Sequence, residues 1–463
     1  MSNPLGRLRQ KARTLHNSAL RDLMGVFSPW LDLAHAFGTP ERHRLFFPER
    51  TCWIFLAQVL SADRSCREAL RKFLAWLAST EHKEASPNTA AYCKARARLS
   101  MQSIKTVHRD LVTRLQRSPG AERRWCGRRV TVVDATGISM PDTLENQQLY
   151  PQSKAVKPGC GFPEMRVLAM FSLATGVLLR YATSSRKVSE RTLFHRVWDH
   201  LESGDVVLAD RGFCALADFY FLLERGIDSV MRLHQRRRVG LRTLKRLGPG
   251  DTLVEWIKTK PTPKWLTKQQ WAAVPNAFTV RHITFTVDIP GFRSRTFTIA
   301  TTLLDHRRFP AHAFAELYRR RWMAELYLRD IKISLGMDIL RCKTPEMVHK
   351  ELAVHIIAYN LIRATMLQAA RQVRQDPERI SFKGTVQTVR QWAPVIALAP
   401  PDQLDYLRAA MLRAIARDLL PSRPNRSEPR ARKRRPKNYQ LLNKPRHEFR
   451  GIPHRNHYSK PLS

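Results

Sequence analysis

The chain has 463 residues, with 80 Lys and Arg against 39 Asp and Glu, a formal charge of +41. Such an excess repels itself unless a polyanion neutralises it, which points to nucleic acid first and an anionic membrane surface second. The longest apolar stretch, VLAMFSLATGVLL at 167–179, is too short to span a bilayer and is broken by Thr175-Gly176, which excludes the membrane class. No charged-then-apolar leader opens the sequence, and the seven cysteines contain no CxxC pair. They read as reduced thiols of a cytoplasmic protein and not as zinc ligands or disulfides. At 43% hydrophobic the chain can fill cores, and its length predicts two to four domains.

Residues 1–125 read as a helical N-terminal DNA-binding region, with apolar residues at three- and four-residue spacing in TCWIFLAQVL, CREALRKFLAWLAS and SIKTVHRDLVTRLQR. A further helix is predicted after Asn88, where Lys94, Arg96 and Arg98 form either a solvated face or a phosphate-contacting one. At 126 the pattern turns to short β-branched runs. RRVTVVDAT ends near Asp134, EMRVLAMFSL and GVLLRYATS are joined by a turn at Ala174-Thr175-Gly176, and DVVLAD ends in Asp210. Helices at SERTLFHRVWDHL and ALADFYFLLERG and a last strand, DSVMRL, complete residues 126–232. The order β-β-β-α-β-α-β, three antiparallel strands and then crossovers, is that of a ribonuclease-H-like fold within an α+β multidomain chain.

Residues 233–300 carry turn signals (LGPGD, KPTPKW, IPGFR) between β-favouring runs and read as an inserted, mostly β subdomain. Helix returns in 301–372 with HAFAELYRRRWMAELYLRDIKISLG, bounded by Pro310 and Gly336, and then EMVHKELAVHIIAYNLIRATMLQAARQ. A helical region spans 373–421. The basic tail, 422–463, centres on RARKRRPK and is expected to be extended until it meets phosphates.

Asp134 and Asp210 each close a strand, and Glu325 sits on a late helix able to pack beside both. Carboxylates at strand ends suit Mg2+ or Mn2+, and two such ions promote in-line displacement at phosphorus. An Asp at a strand end is also a common turn residue, and Asp205, Asp142 and Glu145 compete for the role, though the first two stand in turn positions. At about 100° per residue, Tyr318, Arg321, Glu325 and Lys332 fall within roughly 60° of one another beside the buried stripe of Leu317, Ala324, Leu328, Ile331 and Leu335. Glu325 can then hold a metal while the cations beside it grip the phosphates. The competing reading is a salt-bridge ladder, Arg321-Glu325-Arg329.

The spacing Tyr318-x2-Arg321-x3-Glu325-x6-Lys332 resembles the YREK signature of the DDE insertion-sequence transposases of insertion-sequence family four. VVDATGISMPDT and LADRGFC are similar to that family's two aspartate blocks, and KPGCGFPEMR and KRRPKNYQLLNKPRHEFR also resemble its members. The resemblance covers residues 86–455. It implies a bacterial, nucleoid-associated cut-and-paste transposase that binds its element's terminal repeats and target DNA, with a likeness to family members that act as homodimers on paired ends. By resemblance Asp134, Asp210 and Glu325 bind two Mg2+ (or Mn2+) ions, and Tyr318, Arg321 and Lys332 contact DNA phosphates. Some members stack a flipped base on a tryptophan of the insertion, for which Trp256 in LVEWIK is the candidate. Two other classes remain: a non-catalytic DNA-binding regulator descended from a transposase, and an RNA-binding protein, for which neither an RNP pattern nor a GXXG loop is found.

Overall fold

In a computed structural model, residues 26–27, 30–38, 44–117, 123–234, 241–258, 261–287, 295–421, 445 and 448 are described. The basic tail from 422 therefore lies almost wholly outside the described residues.

An unexpected short helix, α1 (Leu33–Phe37), precedes the four expected ones: α2 (Pro48–Leu60), α3 (Cys66–Glu81), α4 (Ala90–Arg98) and α5 (Met101–Arg117). Proline at the first position starts α2, and the Ser65 hydroxyl caps α3 by accepting from Glu68 N at 3.1 Å. On α4, Lys94 and Arg98 are exposed but Arg96 is buried. Its guanidinium donates to Gln58 Oε1 at 2.8 Å and to the sulfurs of Cys66 and Cys342 at 3.0 and 3.1 Å. Arg96 is thus neither a solvated cation nor a phosphate contact.

Next come β1 (Val130–Ser139), α6 (Leu144–Leu149), β2 (Glu164–Ser172), β3 (Leu178–Ser185), α7 (Glu190–His195), β4 (Val206–Ala209), α8 (Leu216–Glu224) and β5 (Asp228–Arg232). β1 runs antiparallel to β2 and parallel to β4, which runs parallel to β5. Then β6 (Leu241–Gly248), β7 (Asp251–Ile257), α9 (Lys268–Ala273), β8 (Ala277–Val287) and β9 (Arg295–Thr301) follow. The segment expected as a separate β subdomain is β-rich, but its strands continue the same sheet. β9 pairs with β5 (Val230↔Thr301, Arg232↔Ile299), and the described strands form one sheet in the order β3-β2-β1-β4-β5-β9-β8-β7-β6.

The pleat divides the sheet's side chains between two cores. Val130, Val132, Leu208 and Val230 join the larger one, with the helices that follow the sheet, while Val133, Val207, Ala209 and Met231 join a second one with α7, α8 and Trp256.

The stretch predicted as one helix over 312–336 is segmented into α10 (Ala311–Arg320), α11 (Met323–Arg329) and a π-helical turn, Asp330–Ser334. Between α10 and α11 the bonds tighten to i→i−3, with Arg321 N on Tyr318 O, Ala324 N on Arg321 O and Glu325 N on Trp322 O, each at 3.1 Å. Glu325 therefore sits between an overwound and an underwound turn, a pattern common at functional sites. Last come α12 (Pro345–Gln372), α13 (Phe382–Leu398) and α14 (Leu404–Arg417). α12 is buried almost all round. Its Asn360 bonds both N and O of Leu178, and its Tyr359 hydroxyl donates to Gly176 O at 2.6 Å, which fixes the β2–β3 turn. No described helix is long and apolar enough to cross a membrane.

Candidate active site

Asp134 lies two residues past Val132, the last β1 residue paired with β4 (Val132↔Leu208). Carrying the same register forward sets Asp134 beside Asp210, just beyond β4. Both belong to the alternate set that includes Val132 and Leu208, so both face the core containing Ala324, Leu328 and Ile331. The Asp210 carbonyl accepts from Phe213 N at 3.1 Å and starts a short 3-10 turn, while its carboxylate makes no ion pair or side-chain hydrogen bond among the described residues.

α11 packs against β1 and carries Glu325 to this face. Arg321 Nη2 donates to Glu325 Oε1 at 2.9 Å. The charges of Arg321 and Glu325 are felt at Asp134, and that of Asp210 at both Tyr318 and Arg321, so the five groups form one electrostatic neighbourhood. Burial pushes the Asp134 carboxyl up to about 6, and Glu325 adds to the rise, against the Ala135 N–H at 2.8 Å and the Arg321 charge. Burial also raises the Tyr318 hydroxyl well above its ordinary value, which keeps it a protonated donor. For Arg321, burial opposes the charge, but Tyr318, Glu325 and Asp210 outweigh it and raise its pKa.

Lys332 falls within the π turn and reaches β1, where Nζ donates to Thr136 Oγ1 at 3.0 Å and Gly137 O at 2.9 Å. Thr136 is two residues past Asp134, on the same side of the strand. Six of the seven residues singled out in the sequence thus lie on β1, just past β4, or on the helical stretch from α10 to the π turn that packs beside them. Trp256 does not. It is fully buried in the second core against Phe219, its indole N–H donating to His282 Nε2 at 2.8 Å, so the base-stacking expectation is corrected: it presents no face to a base. Sequence reasoning also missed Arg232, the last residue of β5, whose guanidinium lies over the Phe297 ring at 4.5 Å and whose charge is felt at Tyr318. The available signal was a cation ending a strand next to the one that presents Asp210.

Three carboxylates with no thiol or imidazole among them form a donor set suited to a hard divalent cation. Asp134, whose carboxyl burial raises, and Asp210, whose carboxylate makes no ion pair among the described residues, fit that chemistry, with the charge of Arg321 coupled to both. Among the described residues no three His, Cys, Asp or Glu side chains already stand close enough to hold one ion, and Glu325 is instead engaged by Arg321.

Residues 125–361 match the family model described as "Transposase DDE domain". The chain is 27% identical over 354 residues to the transposase InsG for insertion sequence element IS4 of Escherichia coli (strain K12), covering 76% of this chain and 77% of that protein. It is 19% identical over 288 residues to the transposase for insertion sequence element IS231F of Bacillus thuringiensis subsp. israelensis, covering 54% and 59%. The cryo-EM structure of a piggyBac transposase synaptic complex with hairpin DNA aligns over 87% of each chain, with 10% identity and a TM-score of 0.41. The family match takes in more than half of the chain, including Asp134 within β1, Asp210 just past β4 and the α10–α11 junction, and the chain accordingly belongs to the transposases with a DDE domain.

Proposed function

We propose that the chain cuts and rejoins DNA at the ends of its own insertion sequence, with Asp134, Asp210 and Glu325 as metal ligands and Tyr318, Arg321 and Lys332 as phosphate contacts. The observation that carries this reading is the register of Asp134 with Asp210 beneath the junction that bears Arg321 and Glu325. The strand order β3-β2-β1-β4-β5, with parallel pairing on one side of β1 and antiparallel on the other, supports a ribonuclease-H-like catalytic core. The +41 charge supports DNA as partner. Paired element ends imply a homodimer during synapsis.

The two aspartates sit on neighbouring strands, so their separation is set by a rigid sheet. Glu325 completes the set by turning from Arg321, which frees that guanidinium for a bidentate grip on a phosphate. Tyr318, held neutral, donates to a phosphate oxygen, and Lys332 brings a cation to the strand beside Asp134. When bound, one or two Mg2+ ions would activate the attacking oxygen and stabilise the leaving one.

Supercoiled plasmid bearing the element's ends tests this reading. Nicking and linearisation at those ends in Mg2+, abolished by EDTA, are expected. Binding to the ends with no strand cleavage in Mg2+ or Mn2+ would leave a non-catalytic regulator.

A further inference from the structure

The segment that leaves the Glu325 helix is clamped by two arginines from the N-terminal helices. Arg64, in the turn between α2 and α3, donates from Nη1 to Leu335 O at 2.9 Å, the carbonyl just past the π turn. Its guanidinium lies against Gly336, where a Cβ would stand 0.9 Å from Nη1 and where φ is +68°. Arg96 reaches Cys342 Sγ at 3.1 Å on the far side of the same segment. The two are linked through buried Gln58, whose Nε2 donates to Arg64 O at 3.0 Å and whose Oε1 accepts from Arg96 at 2.8 Å and from the Tyr92 hydroxyl at 2.9 Å. From α13, Arg390 bonds Leu60 O and braces the end of α2.

Between the clamps the segment crosses the end of β1. Ser139 N donates to Asp338 O at 3.0 Å and Leu340 N to Ser139 O at 2.9 Å. Asp134 thus belongs to a strand whose end is tied to residues 338–340, Lys332 is docked on the same strand, and Arg64 neutralises the negative end of the helical stretch carrying Glu325.

We infer that Arg64 is a positioning residue for strand cleavage, fixing the C-terminal end of the Glu325 helix so that Glu325 and Lys332 keep their register against Asp134. This assigns a task to the N-terminal helices and rests on the transposase reading above. Removing Arg64 lets the helix end slip along β1 without touching a DNA contact, and a shift of about 1 Å at a catalytic group can cost on the order of a hundredfold in rate.

The test uses the full chain and supercoiled plasmid carrying the element's ends in Mg2+, with single-turnover cleavage, end-binding affinity and thermal melting measured together below the melting point of every variant. Arg64→Ala is expected to cleave at least tenfold more slowly at saturating protein, with end affinity within twofold of wild type. Arg64→Lys, which can still cap the carbonyl, is expected to recover most of the rate. Gly336→Ala, which displaces the guanidinium and also strains a backbone at φ +68°, is expected to slow cleavage in the wild-type background and to do so less when Arg64 is already alanine; the single variant keeps Arg64 and so tests the clamp even where Arg64→Ala fails to fold. Wild-type cleavage by Arg64→Ala, loss of affinity in proportion to rate, no recovery by Arg64→Lys, or additive losses with Gly336→Ala would each overturn the inference. A wild-type chain that binds the ends without cutting them overturns the transposase reading instead, and this inference with it.

Discussion

Arg321 and Glu325 stand one helical turn apart and share a 2.9 Å hydrogen bond, with the carboxylate about one-third exposed and the guanidinium mostly buried. An i,i+4 pair of this kind stabilises a helix by about 0.3–0.5 kcal/mol, too little to explain why a chain of net charge +41 keeps an acid at this spot. The bond also ties together two groups whose charges act on Asp134, a placement that serves chemistry under the function proposed above.

Arg321→Gln separates those roles. With Arg321 as a phosphate contact, the folded variant binds end DNA but cleaves it at least tenfold more slowly, a loss of about 1.4 kcal/mol in transition-state stabilisation. Single-turnover cleavage beside thermal melting decides the matter. Normal rates with slightly lower stability would reduce the pair to a salt bridge.

The half-buried Asp134 sets a pH dependence. Its carboxyl is raised from an ordinary 3.8 to about 6 in the folded chain. Between those values the unfolded chain ionises while the folded one resists, so this group lowers stability as pH rises towards 6 and levels off above it. In EDTA, Asp134→Asn should therefore gain melting temperature over wild type through that window and keep the gain at pH 8. Mg2+ should stabilise wild type at pH 8, do so less at pH 5 where a proton competes, and leave Asp134→Asn unmoved. Equal Mg2+ shifts in both proteins would remove Asp134 from the metal site.

Trp256 gives a contrasting case. Replacing a fully buried tryptophan by alanine costs about 3–5 kcal/mol. Trp256→Ala should lower the denaturant midpoint sharply, with cleavage per folded molecule intact at low temperature. A normal midpoint with one DNA-processing step lost would restore it to a base-handling role.

The basic tail should bind without discrimination. Deleting residues 422–463 is expected to weaken all DNA alike and to flatten the log–log salt dependence by about 0.9 for each lost phosphate contact. Loss confined to element ends would show that the tail reads bases.

Much of this site was legible because local chemistry marks it. Asp134 and Asp210 end β-branched runs, and Tyr318, Arg321 and Glu325 follow helical spacing. The register that sets the two aspartates side by side joins strands some 76 positions apart, and no local pattern carries it. The break at the α10–α11 junction was invisible for a related reason. No proline or glycine lies between 311 and 335, so the periodicity reads straight through, and the tightened and π turns form where the helix docks on β1. Trp256 was misplaced because a tryptophan in a strand carries no sign of which face meets the second core. Arg96 was different, since Tyr92, Ala95, Arg96 and Leu99 share a helical face and all are buried. That spacing held the signal, but the run of cations drew attention to charge. The join of β9 to β5 spans about seventy residues, which is why the β-rich segment read as a unit of its own.

The central claim is that Asp134, Asp210 and Glu325 act together on one metal-dependent strand cleavage. Its most direct test changes each singly to alanine and measures Mg2+-dependent single-turnover cleavage at an element end, with end binding followed in parallel. Each variant should bind the end nearly as well as wild type and show no cleavage, because the metal serves chemistry more than docking. A variant that still cuts at a tenth of the wild-type rate or faster would contradict the assignment of that residue, and cutting by all three would place the active site elsewhere.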